Sequence, residues 1–158
     1  MHVRALSQGD RETLSRMLEG IVEFRPAEVK CALELAFLAL DEPDSSGYFA
    51  LVAEEEGRLA GYLNFGPTPL APGTFDLYWI ASADWARGKH AGSMLLRAME
   101  ERLKAQGARL VRVETSSLTE YGPARAFYHH MRYEPVTVIK DFYHPGDDLV
   151  VLTKRLDR

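Results

Sequence analysis

The chain has 158 residues, of which 46% are hydrophobic and 27% are charged, with a formal net charge of −4. This length and composition are typical of one globular domain, which we expect to span residues 1–158. The net negative charge argues against nucleic acid as a partner and is compatible with a cationic substrate. The single cysteine excludes an internal disulfide and a CxxC metal site, so no metal is predicted.

Signals for membrane insertion or export are absent from the sequence pattern. No apolar run approaches the roughly 18 residues of a membrane span, and the N-terminal segment MHVRALSQGD lacks the apolar core of a signal peptide. We therefore expect a cytoplasmic protein without a membrane partner.

The first half of the chain alternates short apolar runs with turn residues. Ser7, with Asp10 three residues later, predicts the start of a helix, and Pro26 is a suitable first residue for a second helix that ends before Pro43. The predicted strands of this half are 2–6, 48–54, 58–65 and 74–80. The two strands 48–54 and 58–65 form a hairpin, since Gly57 lies between them.

The segment after the fourth strand carries the strongest pattern. Apolar side chains recur at three- and four-residue spacing from Ala91 to Leu103, and Gly107 follows, which predicts an amphipathic helix. A strand, a glycine-containing loop and a helix leave unpaired N–H groups at the helix start, where phosphate oxygens bind. Lys89 lies between Gly88 and Gly92 and not directly before Ser or Thr, which argues against a Walker loop. Only two glycines are present, at the wrong spacing for a dinucleotide fingerprint.

The remaining elements are predicted as strand 109–115, helix 124–131, and strands 136–142 and 149–156. The order β-α-α-β-β-β-α-β-α-β-β predicts an α+β (α/β) fold with a mixed, mostly antiparallel central sheet and helices on both faces. The exposed final strand could support a homodimer by edge pairing.

Two motifs resemble those of the GNAT superfamily of N-acetyltransferases, as does the element order. The first is the acetyl-CoA loop formed by Arg87, Gly88, Lys89, Ala91 and Gly92, in which His90 stands where the family has glycine. About 30 residues later, a second motif matches the family pattern at the positions listed here: Ala124, Phe127, Tyr128 and Tyr133. In that motif Tyr121 replaces an asparagine and Arg132 replaces a glycine.

The resemblance implies an acetyl-CoA site and a splayed fourth and fifth strand. A bulge around Ile80 to Ser82 would open the slot between these strands and supply an N–H group to the thioester carbonyl. The residues implied in cofactor binding are Ile80, Ala81, Ser82, Arg87, Gly88, Lys89, His90, Ala91, Gly92, Ser93 and Tyr121. The alternative for Arg87 and Lys89 is a solvated charge pair on a loop.

The resemblance also implies catalytic roles for individual side chains. Tyr128 would donate a proton to the departing thiolate, whereas its alternative role is that of a core residue. An amine is protonated at pH 7 and needs a base or a water relay. Glu114 is the first candidate base, with a surface salt bridge as the alternative, and Asp76 is the second. Cys31 is expected to be a small packing residue.

Three functions remain open. The first is acetyl transfer from acetyl-CoA to a primary amine of a small molecule, amino acid or peptide by direct attack in a ternary complex. The second is a catalytically inactive acyl-CoA-binding regulatory domain, suggested by the departures at His90, Tyr121 and Arg132. The third is a structural or interaction module. If the fold is right, the segments 20–27 and 143–148 flank the acceptor cleft.

Overall fold

A computed structural model describes all residues from 1 to 158. Its seven strands are β1 (His2–Ala5), β2 (Phe49–Glu55), β3 (Arg58–Pro67), β4 (Thr74–Ser82), β5 (Leu110–Ser116), β6 (Glu134–His144) and β7 (Asp147–Arg155). Its four α-helices are α1 (Arg11–Glu19), α2 (Pro26–Asp41), α3 (Ala91–Ala105) and α4 (Gly122–His130). Both the order and the type of the predicted elements are confirmed.

The strands form one sheet in the spatial order β1-β2-β3-β4-β5-β7-β6. Only the β4–β5 pair is parallel, and every other neighbouring pair is antiparallel. The predicted α+β class with a mixed, mostly antiparallel sheet is therefore confirmed.

Helices cover both faces of the sheet. On one face, α3 and α4 bury a cluster that includes Leu95, Met99 and Tyr128. On the other face, α1 and α2 bury a second cluster that includes Leu14, Leu18 and Ala36. Burying apolar side chains on both faces excludes water from the sheet and fixes the register of its central strands.

Local sequence signals explain several element boundaries. The Ser7 N–H and hydroxyl both donate to the Asp10 carboxylate, at 2.8 and 2.9 Å, and a short 3₁₀ turn precedes α1. Pro26 is the first residue of α2, as predicted. Leu96 is buried beside the predicted stripe of α3, so the apolar face of this helix is wider than the three- and four-residue spacing indicated.

The C-terminal hairpin is longer than predicted. β6 and β7 extend to His144 and Asp147, so that only Pro145 and Gly146 remain between them. β6 lies at the edge of the sheet and is exposed along its whole length. No helix of the structure is both long and apolar enough to cross a membrane. The prediction that the final strand is an exposed edge is wrong, because β7 pairs with both β5 and β6 and is mostly buried. The homodimer itself stays a prediction.

Candidate functional site

The sheet opens between β4 and β5. The two strands pair from Thr74 opposite Leu110 to Leu77 opposite Val113, and their pairing ends there. β4 continues to Ser82 along β3, so its remaining residues keep one neighbour and have an open edge on the other side. The splayed pair predicted from the family resemblance is confirmed.

The bulge that accompanies this opening is not where the sequence placed it. Asn64 pairs with Trp79 and Phe65 pairs with Leu77, so Tyr78 is the extra residue of β4. The prediction of a bulge around Ile80 to Ser82 is therefore wrong by at least two residues. Ile80, Ala81 and Ser82 instead lie in regular pairing with β3, beside the gap.

The first turn of α3 has free backbone donors. His90 is the N-cap residue and provides no side-chain cap to the helix. The first N–H group of the helix that forms a helical hydrogen bond is that of Met94, which donates to the His90 carbonyl at 3.0 Å. The N–H groups of Ala91, Gly92 and Ser93 have no helical acceptor, and the helix dipole adds positive potential at this end. This turn can bind an anion.

The loop before α3 adopts left-handed backbone at two positions. Gly88 has φ +78° and His90 has φ +66°. Histidine tolerates this region better than most residues but carries a steric cost that glycine lacks. The glycine that the family has at position 90 thus corresponds to a real conformational requirement, which His90 meets under mild strain.

Gly92 marks the point where three elements converge. A Cβ atom on Gly92 would lie 3.4 Å from the Phe127 ring of α4 and 3.7 Å from the Ser82 hydroxyl of β4. The start of α3, the end of β4 and α4 therefore pack around one backbone position. Four predicted cofactor-binding residues (Ser82, Ala91, Gly92 and Ser93) meet here, where Ser93 donates its hydroxyl to the His90 carbonyl at 3.0 Å.

The two predicted phosphate-binding cations are engaged with carboxylates. Arg87 donates from Nη2 to both carboxylate oxygens of Glu23, at 2.7 and 2.8 Å, and lies 2.9 Å from Asp84. This contact lowers the pKa of Glu23. Lys89 pairs with Glu55 at 3.0 Å. All of these partners are exposed or half-exposed, so both cations can exchange a carboxylate for another anion.

Tyr128 lies inside the core cluster between the rings of Phe127 and Tyr133, at centroid distances of 5.6 and 5.9 Å. Only 6% of the residue is exposed, and burial raises the pKa of its phenol. The phenol is therefore neutral at physiological pH, and it is a weaker acid than a tyrosine in water. Its neighbour in sequence, Phe127, borders the start of α3, so Tyr128 lies close to the convergence at Gly92.

A cavity of about 630 Å³ opens on the α2 side of the sheet, at the divergence of β4 and β5. Both predicted flanking segments contribute, through Arg25 and Ala27 on one side and Tyr143 and Asp147 on the other. The other lining residues are Glu28, Cys31, Asp76, Leu77, Tyr78, Trp79, Arg112, Glu114, Thr115, Ser116 and Tyr121. Its size suits a small molecule or the end of a peptide.

The two candidate bases differ in their surroundings within this cavity. Asp76 accepts hydrogen bonds from Arg112 Nε at 2.7 Å and from the Thr68 hydroxyl at 2.9 Å, and it is buried. Glu114 is about half exposed, and its nearest cation is the Nη1 atom of Arg112 at 3.9 Å. Glu114 is thus the carboxylate with free oxygens, whereas Asp76 is engaged on both oxygens.

Tyr121 lies in the wall of the cavity rather than among the α3 amides. Its hydroxyl donates to Glu28 Oε1 of α2 at 2.7 Å. Burial is the main cause of the raised pKa of this phenol, and the hydrogen bond to Glu28 raises it further. The contact joins the segment before α4 to α2 across the cavity.

Sequence reasoning missed the α2 face of the cavity. Glu28 and Cys31 are one helical turn apart and both line it, although Cys31 was expected to pack in the core. That expectation is wrong because the buried residue of this turn is the neighbouring Ala32. The one signal for this face was the three-residue spacing of polar side chains from Arg25 through Glu28.

The comparisons agree with this geometry. Residues 14–132 match the model of the Acetyltransferase (GNAT) family. A crystal structure described as an acetyltransferase of the GNAT family from Desulfovibrio desulfuricans is 34% identical, with 98% of each chain covered and a TM-score of 0.93. A search of curated proteins gave no significant match.

More distant structures share the fold. An aminoglycoside 6'-N-acetyltransferase complexed with coenzyme A is 14% identical, covering 99% of this chain and 97% of that chain, with a TM-score of 0.76. A ribosomal-protein-alanine N-acetyltransferase from Brucella melitensis is 21% identical, covering 98% of this chain and 99% of that chain, with a TM-score of 0.78.

Proposed function

Because the chain belongs to the GNAT acetyltransferase family and is therefore an acyltransferase, we propose that it acetylates a primary amine of a small molecule, amino acid or peptide. The amine attacks the thioester of acetyl-CoA directly, in a ternary complex. One observation carries this proposal: the free amides of α3, the open edge of β4 and α4 converge at Gly92, while a cavity opens at the same divergence of strands.

The residues present fit acetyl-CoA. The N–H groups of Ala91, Gly92 and Ser93 suit the diphosphate, with Arg87 beside them. The unpaired edge of β4 from Ile80 to Ser82 offers backbone groups to the amides of the pantetheine arm and an N–H to the thioester oxygen. Acetyl-CoA supplies the activated acetyl group.

Proton donation is assigned to Tyr128. A thiolate leaving group is stabilised when a neutral phenol protonates it. The Tyr128 phenol is neutral at physiological pH and therefore carries the proton to be transferred. The position of this residue on α4, next to Phe127, supports the role because Phe127 contacts the start of α3.

Proton removal from the attacking amine is assigned to Glu114. An ammonium group near its reference pKa of about 10.4 must lose a proton before it can attack. Glu114 lies in the cavity with free carboxylate oxygens, so it can accept this proton directly or through a water molecule. Asp76 is a weaker base because Arg112 and Thr68 already occupy its oxygens.

The test is release of CoA thiol from acetyl-CoA with a panel of amines, together with mass spectrometry of the products. Amine-dependent thiol release with one acetyl group on a product nitrogen supports the proposal. CoA binding without thiol release across the panel would support an inactive acyl-CoA-binding domain instead. Failure to bind any acyl-CoA would overturn both.

A further inference from the structure

The charged side chains that line the cavity do not balance. Four are carboxylates and two are guanidinium groups: Glu28, Asp76, Glu114 and Asp147, against Arg25 and Arg112. The lining therefore carries two more negative charges than positive ones. In a cavity with apolar and aromatic walls, such an excess attracts cations more strongly than it would on an open surface.

Two of the four carboxylates have their own cations. Arg112 Nε contacts Asp76 at 2.7 Å, and Arg25 Nε contacts Glu28 at 3.5 Å. The remaining two do not. Glu114 is 3.9 Å from a nitrogen of the same Arg112 that already pairs with Asp76. Asp147 has no salt-bridge partner, so Glu114 and Asp147 account for the excess.

Asp147 is the more informative of the two. Only 4% of the residue is exposed, and its one side-chain hydrogen bond comes from the Ser116 hydroxyl, which donates to Oδ1. A carboxylate buried without a counter-charge is costly, because it has lost water and gained no cation. Asp147 lines the cavity, so a ligand can supply that cation.

The two carboxylates are neighbours. Glu114 and Ser116 are two residues apart on β5, so their side chains point to the same face with a spacing of about 7 Å. The Ser116 hydroxyl donates a hydrogen bond to Asp147, which places the Asp147 carboxylate on the same side of the sheet as that of Glu114. Tyr143 lies near both carboxylates. Burial is the main cause of the raised pKa of its phenol, and the negative charges of Glu114 and Asp147 raise it further. Its ring, with that of Trp79, can contact a cation.

We propose that the acceptor is an amine with a second positive charge, which Asp147 binds while the amine to be acetylated lies at Glu114. This inference rests on the proposed function of the same cavity. The spacing of about 7 Å between Glu114 and Ser116, whose hydroxyl donates to Asp147, suits an alkyl diamine with about four carbon atoms between its nitrogens, which spans about 6 Å when extended at ordinary bond lengths. Asp147 is here a specificity residue and not a catalytic one.

The first experiment measures binding without acetyl-CoA. 1,4-Diaminobutane and 4-aminobutan-1-ol are titrated into the protein by calorimetry; they share one amine and one chain length and differ in the second charge. We expect about tenfold tighter binding of the diamine, consistent with one added charge contact in a sheltered site. Equal affinities for the two compounds would overturn the inference even if the protein acetylates amines.

The second experiment uses Asp147→Asn, which keeps an oxygen to accept the Ser116 hydrogen bond. The variant should bind both compounds equally and, in catalysis, should raise KM for the diamine about tenfold without changing KM for the amino alcohol. Asp44→Asn, an exposed acid outside the cavity, should keep the diamine preference. If Asp147→Asn lost the same amount of affinity for both compounds, the inference would be contradicted.

Two further outcomes separate the two hypotheses. If the diamine binds selectively and no amine releases CoA thiol, the binding site for a doubly charged amine stands and the proposed transferase function fails. If Asp147→Asn does not fold, the salt dependence of ligand binding to the wild-type protein tests the inference instead. Diamine binding must weaken more steeply with ionic strength than amino-alcohol binding, and parallel dependences would overturn the inference.

Discussion

Replacing Tyr128 by phenylalanine separates proton donation from packing. The phenol lies in the core, where burial raises its pKa, and its hydroxyl makes no hydrogen bond within the chain. Tyr128→Phe therefore removes no intramolecular hydrogen bond, and the free energy of unfolding should change by less than about 1 kcal/mol. Loss of a general acid lowers rates by about 10²–10⁴-fold. We expect kcat to fall by about 100-fold while KM for acetyl-CoA stays within about twofold.

Tyr133→Phe is the matched control. Its ring lies 5.9 Å from that of Tyr128, but its hydroxyl donates to the buried Glu100 at 3.1 Å. This variant should lose about 1.5–3 kcal/mol of stability, since the bond is to a charged group, and keep its kcat. Initial rates at saturating amine and denaturant unfolding measure both quantities. Wild-type kcat in Tyr128→Phe would refute the assignment of the general acid.

The pH dependence adds a second check on Tyr128. A group whose pKa is raised by folding keeps its proton to higher pH than it would in water. The alkaline limb of kcat assigned to this phenol should therefore lie above its ordinary value of about 10. A limb below pH 9 that disappears in Tyr128→Phe would show that the phenol is not shielded as the structure indicates.

Arg87→Ala should raise KM for acetyl-CoA by about 3–10-fold with little change in kcat, as expected for one exposed charge contact of about 1 kcal/mol, measured by initial rates. Glu100→Gln should lower the free energy of unfolding by about 3 kcal/mol in denaturant titrations, because Lys154, 2.7 Å away, is left without its partner. The hydrogen bond from Arg4 lowers the pKa of Asp10 to about 2. Unfolding followed at a series of pH values should therefore show a loss of about 1–2 kcal/mol as pH falls from about 4 to 2.

Each of these predictions has a control. Arg155→Ala removes another exposed, acid-paired arginine and should leave KM for acetyl-CoA unchanged. Glu101→Gln removes an exposed acid of α3 next to Glu100 and should change stability by less than about 0.5 kcal/mol. Asp10→Asn should flatten the acid dependence of stability. Equal stabilities of Glu100→Gln and Glu101→Gln, or an unchanged acid slope in Asp10→Asn, would contradict the corresponding argument.

The sequence predicted those elements around the candidate site that form from local signals. The amphipathic period of α3, the glycines around its start and Pro26 of α2 act within a few residues, so their effects can be inferred from spacing alone. The position of the bulge could not be inferred in this way. Tyr78 is the extra residue because Asn64 pairs with Trp79 and Phe65 with Leu77, which is a property of two strands and not of one.

The cavity wall was similarly beyond local inference. Tyr121 and Glu28 are 93 residues apart in the chain, and only the fold brings the phenol to the carboxylate. The exposure of Cys31 depends on the rotation of α2 about its axis, and that rotation follows from how Ala32 and Ala36 pack on the sheet. A period of 3.6 residues leaves the edges of an apolar stripe undefined, so a residue at the edge can face either side.

The contacts of Arg87 limit what this residue can contribute to the proposed diphosphate site. Glu23, 64 residues earlier in the chain, already occupies its guanidinium, so an incoming diphosphate must displace this carboxylate. Since both groups are about half exposed, the exchange gains little free energy. The N–H groups of Ala91, Gly92 and Ser93 have no such competitor. Most of the affinity for a diphosphate must therefore come from these amides, which is why Arg87→Ala is expected to weaken binding only modestly.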